Sequence, residues 1–240
     1  MTKYFSLKSI SILAVCFFTF ISCSHNVYTS PQFESQTASH KIIAVLPAKV
    51  ILTGTKPKKM TDADIAKQEN AESILFQESL FSNILKKANT KKYYTNITLQ
   101  PLEKTKQLLS QQNDTIDYRN IDSKSDEELC KLLGVDAVVR LKVQKTRYMS
   151  GLVSFGADLL NDILMGTVGV FVPGTTTPVP NAPTKTDDII VQCSIQSKGQ
   201  VLWNDRYSEE ANWKNNANTI VDNITNYFGR KFPYKKKKGK

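Results

Sequence analysis

Residues 42–46, Ile-Ile-Ala-Val-Leu, are apolar without a break and end at Pro47. A short unbroken run of this kind predicts a strand buried on both faces, and residues 50–52 extend it past a bulge. From Thr61 the period changes. Asp64 follows at capping-box spacing, and Ala71, Ile74, Leu75, Phe81, Ile84 and Leu85 recur at helical intervals. Together they predict a helix reaching about Ala88. Residues 95–100 read as a short strand. Pro101 suits the first turn of a helix carrying Leu102, Leu108 and Leu109.

Ser125 and Glu128 form a second capping box, Leu129, Leu132 and Leu133 give an apolar face, and Gly134 stops that helix. Val139, Leu141 and Val143 then alternate with Arg140, Lys142 and Gln144, the pattern of a strand with one wet face. Ile189, Val191, Cys193 and Ile195 alternate likewise. Ser197-Lys-Gly-Gln200 turns the chain and Val201-Leu-Trp203 returns as a hairpin. Ala217, Ile220, Val221, Ile224, Tyr227 and Phe228 make a last helical stripe, closed at Gly229. The predicted fold class is α/β: a mixed β-sheet with helices packed on it, order β-α-β-α-α-β-β-β-α, with an apolar insert at 148–187.

The amino-terminal pattern is different. Lys3 and Lys8 precede an apolar run from Ile10 to Ile21, and Cys23 follows. The run is of signal-peptide length and shorter than the roughly 20 residues a membrane span needs. Phe20-Ile21-Ser22-Cys23 resembles a lipobox, the site at which a bacterial lipoprotein is acylated, with Phe20 where Leu is commoner and Ser22 in a form associated with the Bacteroidetes. Residues 1–22 are thus expected to be a lipoprotein signal peptide. Cys23 is the expected lipidation site, because its thiol would take the diacylglyceryl group and its freed amine a further acyl chain. Residues 23–40, polar and aperiodic, read as a flexible tether to a domain over 41–229. No acidic cluster follows Cys23, which favours the periplasmic face of the outer membrane.

Charge redraws the far end. The chain has 240 residues, 40% hydrophobic and 22% charged, with a net charge of +10. Two of those charges lie in the leader and seven in residues 230–240, which leaves +1 for residues 24–229. A nearly neutral body argues against nucleic acid as the partner. The basic tail, lacking apolar periodicity, is expected to be a solvated end able to meet anionic membranes or polymers.

Three pieces of the body together resemble envelope lipoproteins related to the curli secretion component and to the amino-terminal domain of TolB. These are Lys41-Ile-Ile-Ala-Val-Leu-Pro47, Leu133-Gly-Val-Asp-Ala-Val-Val-Arg140 and Gly199-Gln-Val-Leu-Trp203. The resemblance spans roughly residues 41–147 and 188–229. It implies an accessory role in secretion, envelope assembly or cell-wall synthesis. Pore-forming members carry two membrane-spanning hairpins of alternating residues, and two such hairpins are not visible in this sequence.

Catalytic patterns are sparse. His25 lies in the tether and His40 at the domain edge, leaving no histidine inside the body for a Ser-His or Cys-His pair. Metal-ligand spacing and phosphate-binding glycine loops are absent from the sequence. Cys130 and Cys193 could pair in an oxidising compartment or pack as free thiols. Asp158 and Asp162, four apart, read as the polar side of a helix.

The insert stands out. Residues 151–172 are apolar, but two aspartates near their middle would each cost about 2.5–3.5 kcal/mol in a lone span. An interfacial or partner-binding element fits better, with Leu159, Leu160, Ile163 and Leu164 on its greasy side; the other reading is a helix tucked against its own domain. The functional expectation is a non-enzymatic, lipid-anchored envelope protein without cofactor or metal. It would work through an unidentified protein partner, with self-association possible; the alternative is an oligomeric secretion-pore component of the curli type.

Overall fold

The computed structural model describes residues 27–56, 60–112, 116–148, 187–211 and 216–239. Among them are nine strands and five helices. In chain order they are β1 (Tyr28–Thr29), α1 (Phe33–Thr37), β2 (Ile42–Val45), β3 (Lys49–Gly54), α2 (Asp62–Ala88), β4 (Tyr93–Tyr94), β5 (Thr98–Leu99), α3 (Leu102–Ser110), α4 (Asp126–Leu133), β6 (Ala137–Arg147), β7 (Asp187–Ser197), β8 (Gln200–Ala211), α5 (Ala217–Lys231) and β9 (Lys236–Lys237).

The main sheet runs β1-β8-β7-β6-β2-β5, with β3 also against β6. It is mixed: β2, β3 and β5 pair in parallel, while β6, β7 and β8 form an antiparallel meander. Strands β2 and β3 share one side of β6. Val45 faces Val139 and Lys49 faces Lys142. The chain thus takes four steps where its partner takes three, and the surplus residue falls around Pro47, whose ring nitrogen has no hydrogen to give the ladder.

Alternation decides the two faces. In β2, Ile43 and Val45 join one core while Ala44 and Leu46 join another, so this strand is buried on both sides. The larger core lies under α2 and α5 and takes in Val139, Leu141, Val143, Val191, Trp203 and Phe228. The smaller lies under α3 and α4, around Leu109, Leu129 and Leu133. Both expected capping boxes are present: Thr61 caps α2 through Asp64, and Ser125 caps α4 through Glu128. Gly134, at φ +64, ends α4.

Four expectations need correction. The inner row of α2 is Gln68, Glu72, Phe76, Leu80, Ile84 and Ala88, spaced by four, whereas Ile74 and Leu85 are exposed. The apolar residues alone misplaced the stripe because its first two positions are polar and satisfied by partners on the sheet. Gly229 does not end the last helix, which continues to Lys231. A Cβ there would lie 2.8 Å from the Asn83 carbonyl oxygen, so Gly229 allows α5 to approach α2 closely.

Residues 28–40 are not a free tether. Thr29 pairs with Trp203, Phe33 is buried, and its ring meets Tyr234 edge-on at 5.4 Å. The tail is not free either. Phe232 and Tyr234 are buried, and Lys236 and Lys237 pair with Tyr94 and Tyr93. Two aromatic anchors two residues apart, rather than any apolar period, hold that segment down. Cys130 and Cys193 are free thiols.

Candidate functional site

The alternation of β6 does not stop at Val143. Lys145 and Arg147 continue its inward phase and are buried. Asp187 continues the inward phase of β7 in the same way. Two cations and an acid thus enter the layer between the sheet and α2, where isolated charges would be heavily penalised. The polar half of the α2 row meets them. Lys145 Nζ lies 2.8 Å from Glu72 Oε1, with side chains 1% and 3% exposed. Gln68 Nε2 donates to the same Glu72 oxygen at 2.8 Å, and Arg147 Nη2 donates to Gln68 Oε1 at 3.1 Å. Arg147 Nε stands 3.9 Å from Asp187 Oδ1.

The result is a chain of charges, Asp187–Arg147–Gln68–Glu72–Lys145, neutral in sum. Its place in the topology matters more than its chemistry. Arg147 is the last residue of β6, Asp187 the first of β7, and the two face each other across the ladder. The chain leaves the sheet at the first and rejoins it at the second. On the other side of β6, Gly54 pairs with Arg147 at φ +90, where a Cβ would fall 2.1 Å from the Arg147 carbonyl oxygen. That glycine lets the Thr55 amide donate to the same oxygen at 2.8 Å. A cavity of about 60 Å3, lined partly by Thr53, Lys145 and Arg147, opens at this corner.

At the opposite end of the sheet an open cleft of about 280 Å3 brings together His40, Cys130, Lys131, Asp136 and Lys198. His40 Nδ1 is 2.7 Å from the Tyr234 hydroxyl. Burial, aided by Lys198 and opposed by Asp136, lowers the His40 pKa. Burial, with Asp126 and Asp136, pushes the Cys130 thiol up to about 11. For Asp136, burial opposes ionisation, but the amides of Ile42 and Lys41, donating at 2.9 and 2.7 Å, outweigh it. A thiol held neutral is a poor nucleophile, so this grouping of cysteine, histidine and acid does not form an activated pair.

Among the described residues, no three His, Cys, Asp or Glu side chains could hold a metal ion together. Nor is any described helix long and apolar enough to cross a membrane. Cys23, Leu159, Leu160, Ile163, Leu164, Asp158 and Asp162 lie outside the described residues. Reading the sequence missed the network of Gln68, Glu72, Lys145, Arg147 and Asp187. Its signal was present in phase: charges on the inward register of two strands, and polar residues four apart ahead of Phe76.

No family model matches this sequence, and no curated protein matches it. Among solved structures it is similar to lipoprotein GNA1162 from Neisseria meningitidis, at 12% identity and a TM-score of 0.39, covering 80% of this chain and 98% of that one. It is also similar to the PelC dodecamer from Paraburkholderia phytofirmans, at 9% identity and a TM-score of 0.35, covering 80% and 85%.

Proposed function

We propose that this chain is a lipid-anchored envelope protein of the periplasmic face of the outer membrane, non-enzymatic, which acts as an accessory by binding a protein partner through residues 151–172. The observation that carries the reading is the opposition of Arg147 and Asp187. A segment that leaves and rejoins a sheet at facing residues, beside a chain of buried charges, is not needed to complete the ladder. The partner contact is assigned to its apolar residues Leu159, Leu160, Ile163 and Leu164, from their sequence pattern. The anchor rests on Cys23 and the charged, apolar leader before it. The resemblance to curli-secretion and TolB-like lipoproteins rests on residues 41–47, 133–140 and 199–203, which fall on β2, the step from α4 to β6, and the turn into β8.

Two variants test the reading. Cys23→Ala should abolish incorporation of labelled palmitate and release the protein from membranes; unchanged membrane partition overturns the anchor. Leu160→Asp combined with Ile163→Asp should leave folding intact while removing crosslinks to envelope proteins in whole cells. Crosslinks that persist overturn the partner assignment. Sedimentation of the purified protein separates a monomeric accessory from a ring-forming secretion component.

A further inference from the structure

Both ends of the main sheet can be followed through its registers. Gly54, Arg147, Asp187 and Ala211 stand in line at one end. Thr98, Ile42 and the turn from Ser197 to Gln200 mark the other. Helices α2 and α5 both start near the first end. Met60 Sδ lies 3.7 Å from Arg147, and Ala217 comes soon after Ala211. Both therefore finish at the second end, where β4 follows α2 and β9 follows α5.

There the two strands pair as a ribbon, Tyr93 opposite Lys237 and Tyr94 opposite Lys236, and the Lys238 amide donates to the Lys92 carbonyl at 2.9 Å. Residues 85–98 and 230–239 together hold ten Lys and Arg and no Asp or Glu: Lys86, Lys87, Lys91 and Lys92 from one segment, Arg230, Lys231 and four consecutive lysines from the other. Lys236, Lys237 and Lys238 are exposed, and none of the ten joins an ion pair among the described residues. Asp136, an acid at this end of the sheet, is occupied by the amides of Lys41 and Ile42. Aromatic surface lies among the cations: Tyr94 is 36% exposed, and the Lys235 ammonium sits 4.5 Å from the centre of the Tyr93 ring.

We infer that the β4–β9 ribbon is a docking surface for an anionic polysaccharide, its lysines meeting the acidic groups of the sugars and Tyr94 lying against a ring face. Concentrated like charge without local acids raises the potential over such a surface and draws a polyanion to it. An extended backbone ribbon presents the charges at fixed spacing, which a solvated tail does not.

Binding of fluorescent alginate to the full chain in detergent micelles, followed by anisotropy over a range of salt concentrations, tests this. The triple variant Lys236→Glu, Lys237→Glu, Lys238→Glu should bind roughly 100-fold more weakly, with unchanged melting because these side chains are exposed. The control Lys104→Glu, Lys106→Glu, on the exposed side of α3, should bind as the parent does. Tyr94→Ala should weaken alginate roughly fivefold while leaving polyaspartate unaffected, which separates sugar contact from charge alone. No binding at low salt, equal losses in the control, or a preference for phosphatidylglycerol vesicles over alginate would each overturn the proposal. The last outcome would identify a membrane surface instead. Palmitate labelling at Cys23 is measured separately, so failure of the ribbon and failure of the anchor remain distinguishable.

Discussion

Arg147 and Asp187 face each other across β6 and β7 with their charged groups 3.9 Å apart, both buried, at the two points where the chain leaves and rejoins the sheet. Placing charge at such a position costs desolvation, and only well-formed partners offset it. Here the offset comes from α2: Gln68 carries the contact inward from Arg147 to Glu72, and Glu72 takes Lys145. One oxygen of Glu72, Oε2, is buried without a hydrogen-bond partner among the described residues, so that carboxylate leans on Lys145 and Gln68 alone.

Removing one member should therefore cost more than removing the pair. Glu72→Ala leaves the Lys145 ammonium buried beside a void, and is expected to destabilise the domain by about 3–5 kcal/mol. Glu72→Leu with Lys145→Met, which replaces the pair by apolar groups of similar size, should recover most of that loss. Urea unfolding of the two variants decides it. Equal destabilisation would show that the charges themselves, rather than their mutual satisfaction, are required.

The facing positions of Arg147 and Asp187 bear directly on the insertion. Joining them by a short Gly/Ser turn in place of residues 148–186 should yield a domain that unfolds cooperatively, since the ladder between β6 and β7 is already in register up to its last pair. Calorimetry reads the result. Loss of a cooperative transition would assign the insertion to the core and sink the view that it serves a partner.

Gly229 is a packing residue in the last turn of α5. Alanine there gains about 1 kcal/mol of helix propensity but sets a Cβ 2.8 Å from the Asn83 carbonyl oxygen. Overpacking of that kind costs about 1–3 kcal/mol. It would also strain the contacts in which Asn83 Nδ2 donates to Asp222 and Thr225, each at 2.9 Å. Gly229→Ala should lower the urea midpoint. A rise in the midpoint would mean that the helices separate freely.

The carboxy-terminal segment should prove structural as well as basic. Phe232 is 3% exposed and Tyr234 5%, with Tyr234 packed between Phe33 and Phe232 and its hydroxyl on His40. Phe232→Ala is expected to cost about 3–5 kcal/mol, and truncation after Lys231 should lower the melting temperature and expose residues 28–40 to proteolysis. A truncated chain with unchanged melting would return this segment to the status of a loose tail.

Local chemistry in the sequence determined much of this molecule. The capping boxes at Thr61 and Ser125, the unbroken run of β2, the alternation of β6 and β7, and the order of the nine principal elements all follow from periodicity and from short-range hydrogen bonding, which act within a few residues. The extra residue near Pro47 was legible for the same reason. Tertiary structure decided what depends on partners far along the chain. Gln68 and Glu72 are inward because Lys145 and Arg147 wait on β6, some seventy-five residues later. Gly229 is tolerated inside a helix because Asn83 crosses there. Residues 28–40 and 232–237 are held to the domain because Phe33 and Tyr234, some two hundred residues apart in sequence, meet at 5.4 Å. A polar or aromatic side chain in a plain sequence window has no partner to declare it buried. Only the fold, by bringing the partner within hydrogen-bonding or van der Waals distance, makes burial cheaper than solvation.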